Sequence, residues 1–295
     1  MLPMQLPSNS PDSNTEQPTM QSRMTDTYSN FNEVTNNDSQ TCVGAPSCMI
    51  PWAIPASPAI LQTKTMGNGD VYLPYDIEGP DGTATGKYIW ANGDTYEGQF
   101  VCPGLIKQGL GKCTYASSGS SYDGSWEADQ KHGTGTFTYS DFSVYFGSYR
   151  EGMREGQGRM VFSNGSVYEG QWRLGLMDGS GLMVWDSGEF YEGGWKSGQR
   201  EGTGTCFFPN GCCYEGEFKD GKYSGQGTYK FASGNVYVGH WTAGMRDGRG
   251  KMTRPDGTIF ADGFWTDGDF VFPKTEVRQS VGCLDLTAWI GSMSG

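Results

Sequence analysis

The pattern aromatic-x-Gly-x-aromatic returns every 23 residues through most of this chain, and a period of that length leaves few folds open. Units start at Tyr122, Tyr145, Tyr168, Tyr191, Tyr214, Tyr237 and Phe260; an earlier unit starts at Tyr96 and is three residues longer, with its insertion around 102–108. The opening five residues read YEGQF at 96, YDGSW at 122, YFGSY at 145, YEGQW at 168, YEGGW at 191, YEGEF at 214 and YVGHW at 237. The second half of a unit is Gly-x-Gly followed by alternating apolar residues, as in Gly225, Gly227, Tyr229 and Phe231. Alternation of period two predicts strands. Most units close on a turn pair such as Asn92-Gly93, Asn164-Gly165 or Asp256-Gly257, residues that supply the positive φ angles of tight turns, whereas one unit carries Asp141-Phe142. A second turn inside the unit holds Gly152, Gly175, Gly198, Gly221 or Gly244. Each unit therefore reads as two short strands and two turns.

In a strand the first, third and fifth residues share a face, so Tyr168, Gly170 and Trp172 point together while Glu169 and Gln171 point away. A ring lies flat on a neighbouring strand only where no side chain rises beneath it, and paired glycines such as Gly179 and Gly181 are expected to leave that room. This gives the 46 glycines among 295 residues a packing role, so Val at Gly170 or Gly193 is expected to do far more damage than Val at Gly44. Glycine does not recur every third residue and prolines number only 14, which excludes collagen; 14% aromatic residues argue against wholesale disorder. The expected fold is all-β: an elongated single-layer antiparallel sheet of tandem 23-residue β-hairpins, roughly 70–80 Å long at ~4.8 Å per strand.

These residues closely resemble the MORN family, the membrane occupation and recognition nexus repeat, whose unit runs YEGEW, a glycine turn and a glycine-spaced second strand. The resemblance covers 86–270, about seven to eight units, beginning with a partial unit around Tyr88, Trp90 and Asn92-Gly93. The last unit, FADGFW at 260–265, departs by one residue, as terminal units of a stack do. The resemblance implies an elongated antiparallel sheet and service in ciliary, flagellar or other cytoskeletal assemblies, or at membrane junctions.

Outside the array, 1–47 has the Ser-, Thr-, Asn- and Gln-rich composition of a disordered tail. Residues 48–85 read as a Pro-interrupted apolar arm, CMIPWAIPASPAIL at 48–61, followed by a degenerate first hairpin at 71–79. The arm is expected to pack on the protein's own aromatic face, with a docking motif for a partner as the alternative. Residues 271–295 read as a capping segment in which Val277, Val281, Leu284, Trp289 and Ile290 mark a short helix covering the last hairpin, dimerisation through that end being the competing reading.

Net charge of −12, and −5 across the array, opposes general nucleic-acid binding. No apolar run is long enough to span a membrane and no leader is visible, so a cytoplasmic protein is expected. The eight cysteines lack metal or disulfide spacing and are expected to be reduced thiols. GLGKCT at 109–114 looks like a phosphate loop, but Cys113 follows Lys112 where Ser or Thr is needed, and the repeat makes this a strand. His132 and His240 occupy different unit positions and suggest no metal site. Neither a cofactor nor a catalytic residue is expected.

The expected function is a non-catalytic interaction scaffold in a cytoskeletal or ciliary/flagellar assembly, receiving a helix or extended segment of a partner, or a second copy. Its partner-binding aromatic face is expected to comprise Tyr96, Tyr122, Trp126, Tyr145, Tyr149, Tyr168, Trp172, Tyr191, Trp195, Tyr214, Phe218, Tyr237 and Trp241. Those rings would also stack on one another, with the surface left exposed doing the binding. The alternative is a peripheral adaptor on the inner membrane surface that binds acidic phospholipid headgroups through Lys196, Arg200, Lys219, Lys222, Arg246 and Arg249 in and beside the turns.

Overall fold

Every period-two stretch of the array forms a strand, and each turn pair reverses the chain. The computed structural model describes residues 63–75 and 82–272, which hold 19 strands from Lys64 to Val271 and no helix. The tail, the arm at 48–61 and the capping segment from 273 lie outside the described residues. Each strand pairs antiparallel with the one before and the one after it in the chain, giving a single open meander. The sheet extends upstream of residue 86: Val71–Pro74 pairs with Thr83–Ile89, and Lys64–Thr65 with Val71–Pro74.

The hairpin beginning at Tyr168 shows the shared design. The seven-residue strand Val167–Arg173 turns through Leu174 and Gly175, both at positive φ (49° and 81°), into the nine-residue strand Leu176–Val184. Two residues at positive φ make the tight turn whose twist suits a hairpin. The unequal strand lengths are absorbed by a bulge: Gly170 faces Gly181 and Trp172 faces Met177, which leaves Asp178, Gly179 and Ser180 opposite Gln171 alone. Gly179 sits there at φ 110°. Thus the two glycines of Gly-x-Gly have different tasks. Gly181 and its cross-strand partner Gly170 lie beneath the Tyr168 ring, whereas Gly179 is required by the bulge, contrary to the expectation that it too makes room for a ring. The fourth residue of the unit supports the bulge, with Gln171 Oε1 accepting the Ser180 N–H at 2.8 Å, as Gln99 does for Leu110 and Glu217 for Gln226.

The turns between units use one positive φ. Gly93 (88°) donates its N–H to the Trp90 carbonyl, while Asn92 stays in ordinary φ space and uses its side-chain oxygen to accept the Asp94 N–H at 3.0 Å. Successive turns are then linked by the residue two before the unit tyrosine. Asp70 accepts the Ala91 N–H, Asp94 that of Ala116, Ser143 that of Ser163 and Ser166 that of Asp186. The exception at Asp141-Phe142 places Phe142 at φ 68° with 84% of its surface exposed. A β-carbon costs about 1–2 kcal/mol in that conformation and the ring gains no burial. Phe142→Gly is therefore expected to stabilise the protein by about 1 kcal/mol in denaturant or thermal unfolding.

The core is one ring thick. Tyr168 packs edge-on against Trp172 of its own strand (5.2 Å) and Trp195 of the next unit (5.4 Å), and the same two contacts recur from Tyr96 to Tyr237. All seven unit tyrosines are completely buried, and each hydroxyl donates to the carbonyl three residues on, as Tyr168 does to Gln171 at 2.9 Å. The indoles of Trp126, Trp172, Trp195, Trp241 and Trp265 donate to the glycine carbonyls of the preceding hairpin, satisfying polar atoms that burial would otherwise strand. In the irregular last unit Ala261 takes the tyrosine register, opposite Met252, and the Phe270 ring from the following strand covers Gly263 in place of the missing phenol.

Candidate functional site

Because the sheet has a single layer, its two faces have different chemistry. One carries the rings. The other exposes Glu97, Asp123, Glu169, Glu192 and Glu215 at the second position of five units, with Phe146 and Val238 at that position in the units starting at Tyr145 and Tyr237.

On the ring face, the thirteen side chains expected to meet a partner are the core itself: Tyr96, Tyr122, Tyr145, Tyr168, Tyr191, Tyr214 and Tyr237 at 0% exposure, and Trp126, Tyr149, Trp172, Trp195, Phe218 and Trp241 at 3–6%. Their edge-on packing closes them against one another, so a partner can reach them only through what lies above. What lies above is a groove. Along one side stand half-buried rings from the residue just after a second strand, Trp90, Tyr115, Tyr139, Phe162, Trp185, Phe208 and Phe231. From the other side come cations near the start of five of the second strands. Lys107 Nζ lies 4.8 Å from the Trp126 ring and 5.2 Å from Trp90, and Lys131 Nζ lies 4.5 Å from Phe137. The guanidinium carbon of Arg154 is 4.2 Å from the Trp172 ring, Arg200 is 5.4 Å from Phe218, and Arg246 is 4.5 Å from Trp265. Such cations gain from the ring face while their stems cover apolar surface.

Three of them also cap turns: Arg154, Arg200 and Arg246 donate to the carbonyls of Gly175, Gly221 and Gly268 in the next hairpin. Arg200 lies 3.6 Å from Glu189 and Lys107 lies 3.7 Å from Asp129. Lys131, Arg154 and Arg246 make no ion pair among the described residues. Burial, with the neighbouring Arg154 charge adding to it, holds the Lys131 ammonium below its ordinary pKa. Near the C-terminal end, Tyr223, Tyr229, Phe231, Trp241, Met245 and Arg246 line a slot of about 280 Å³ in the same face.

The six residues of the lipid alternative divide between the faces. Arg200 and Arg246 belong to the groove, whereas Lys196, Lys219 and Lys222 are exposed on the carboxylate face beside the turns, with Lys219 directly opposite Lys222. Arg249, opposite Phe264, is also exposed on that face.

His132 Nδ1 lies 3.1 Å from Glu127 and His240 is exposed. Cys113, Cys206, Cys212 and Cys213 form no disulfide among the described residues, and Cys206 is fully buried. Burial, then the Glu189 carboxylate, pushes its thiol up to about 12, which opposes a nucleophilic role. Among the described residues no cluster of His, Cys, Asp or Glu could hold a metal ion, and no helix is long and apolar enough to cross a membrane.

A single sheet whose core is its own ring face, with a cation-lined groove above that core, defines a tandem β-hairpin repeat protein. The model of the MORN repeat matches residues 85–95, 106–120, 122–144, 145–167, 168–190, 191–213, 214–236 and 237–259. The chain belongs to the MORN repeat family. A search of curated proteins finds no match. Among solved structures, the TCP10 domain of Danio rerio CPAP in complex with a peptide of Danio rerio STIL is 14% identical with a TM-score of 0.37, over 69% of this chain and 99% of that one. The TCP domain of Drosophila melanogaster SAS-4 (dCPAP), in complex with a proline-rich motif of Ana2 (dSTIL), is 14% identical with a TM-score of 0.31, over 75% and 96%. Likenesses this distant give no support to a shared ligand.

Proposed function

We propose that the chain is a non-catalytic protein-binding scaffold whose ring-face groove receives a segment of a partner protein, within a cytoskeletal or ciliary/flagellar assembly. The observation that carries this reading is the groove itself. Half-buried rings and partly desolvated cations recur along it at the repeat spacing, Lys131, Arg154 and Arg246 without an ion pair among the described residues, and aromatic and arginine side chains in such settings are the usual anchors of interfaces. The cytoskeletal setting is supported by the family and by the share of the chain given over to repeats.

The test places a photo-crosslinking residue at Phe162 on the groove or at Glu169 on the opposite face, in cells expressing the full chain. Position 162 is expected to give adducts with cytoskeletal proteins that are lost on Arg154→Glu, and position 169 to give none. Adducts from 169 alone, or a diffuse chain with no cytoskeletal neighbours, would contradict the reading. The lipid-adaptor alternative draws on Lys196, Lys219 and Lys222. It requires salt-sensitive binding to phosphoinositide vesicles that fails when these three are changed to Gln.

A further inference from the structure

The groove cations occupy one position of the repeating unit. Lys131, Arg154, Arg200 and Arg246 fill it, and Met177 and Tyr223 take it in the units between. Register fixes the equivalence, since Arg154 stands opposite Tyr149, Met177 opposite Trp172 and Arg200 opposite Trp195. Two strands at about 4.8 Å each mean that one hairpin advances the groove by about 9.6 Å.

That advance selects among the conformations a bound segment can have. A polyproline II chain rises about 3.1 Å per residue with three residues per turn, so it presents the same edge every ~9.3 Å. It stays in step with the hairpins over several units. An α-helix at 1.5 Å per residue needs about 6.4 residues to cover the same distance, which is not a whole number of 3.6-residue turns. Its acidic stripe would swing away from the groove after one or two hairpins.

Charge names the side chain that should recur. Lys131 and Arg154 are neighbours in adjacent hairpins, both half-buried and neither ion-paired among the described residues, so a carboxylate laid across them relieves their repulsion. Resting on the groove reading above, we propose that the occupant is an extended, polyproline II-like acidic segment of a partner protein. Its carboxylates recur at every third residue to meet successive cations, and prolines between them lie against the half-buried rings such as Tyr139 and Phe162.

The test uses the full chain and a labelled peptide of five Glu-Pro-Pro triplets. Its controls are a peptide with the same five glutamates spaced by three prolines and a helical peptide with glutamates seven apart. The triplet peptide is expected to bind at least about tenfold more tightly than either control. Lys131→Met copies the chain's own Met177, so it removes the charge in a way the fold already accommodates; it is expected to weaken triplet binding about three- to tenfold. Met177→Arg fills the gap in the cation row and is expected to strengthen binding by a similar factor, a gain that misfolding cannot mimic. Equal affinity for the two proline-rich peptides, or no change in either variant, overturns the proposal. Tighter binding of the helical peptide, weakened by Lys131→Met, overturns the extended occupant while supporting the groove. Failure of every peptide alongside persistent crosslinking from position 162 likewise overturns the acidic ligand alone.

Discussion

Gly181→Val is expected to cost the protein about 3–5 kcal/mol, the range seen when a large buried ring loses its site. A β-carbon built at Gly181 falls against the hydroxyl of Tyr168 and within 2.6 Å of two of its ring carbons. The ring has nowhere to go. It is completely buried, held between Trp172 and Trp195, and fixed by its hydroxyl to the Gln171 carbonyl. Expelling it breaks the edge-on chain at one link and opens the indoles on either side. Gly175→Ala provides the control, since Gly175 has a positive φ of 81° but no atom within 4 Å of the built β-carbon. Only backbone strain of about 1–2 kcal/mol is expected there. Both variants are read by thermal and denaturant unfolding, with hydrogen exchange locating the damage. In a repeat array each hairpin contacts only its neighbours, so protection should fall first in the units on either side of Tyr168. Equal losses at the two glycines would mean that Gly181 serves the backbone and not the ring.

The repeat period, the strand alternation and the bare glycines beneath rings were legible in the sequence because each leaves a local mark: a fixed spacing, a period of two, a missing side chain. Three features left no such mark. The bulge at Asp178, Gly179 and Ser180 gives Gly179 and Gly181 the same appearance in sequence and different tasks in space. The extent of ring burial follows from contacts between successive units, which alternation within one strand does not encode. Phe270 standing in for the tyrosine of the last unit is a substitution across strands. The groove cations did carry a signal, since Lys131, Arg154, Arg200 and Arg246 keep the 23-residue spacing. Met177 and Tyr223 interrupt the row, and a charged residue near a turn reads as solvated until the ring beneath it is seen.

One layer of rings, closed on bare glycines, is at once the core of the sheet and the floor of its groove. Tyrosine ionisation tests it most directly. Burial raises the pKa of every unit tyrosine above the ordinary phenol value of 10.0, to about 12 for Tyr122, Tyr168 and Tyr191. Between those values the unfolded chain gives up phenol protons that the folded chain keeps, so rising pH lowers the free energy of the unfolded state relative to the folded one. The stabilisation is complete below pH 10 and is lost as pH climbs through about 12. Phenolate absorbance and the strand signal in circular dichroism, followed together, are expected to show the unit tyrosines silent until the sheet collapses, and then ionising together with its loss. A gradual titration of all tyrosines near pH 10 with the sheet intact would show that the rings are open to water and that the core lies elsewhere.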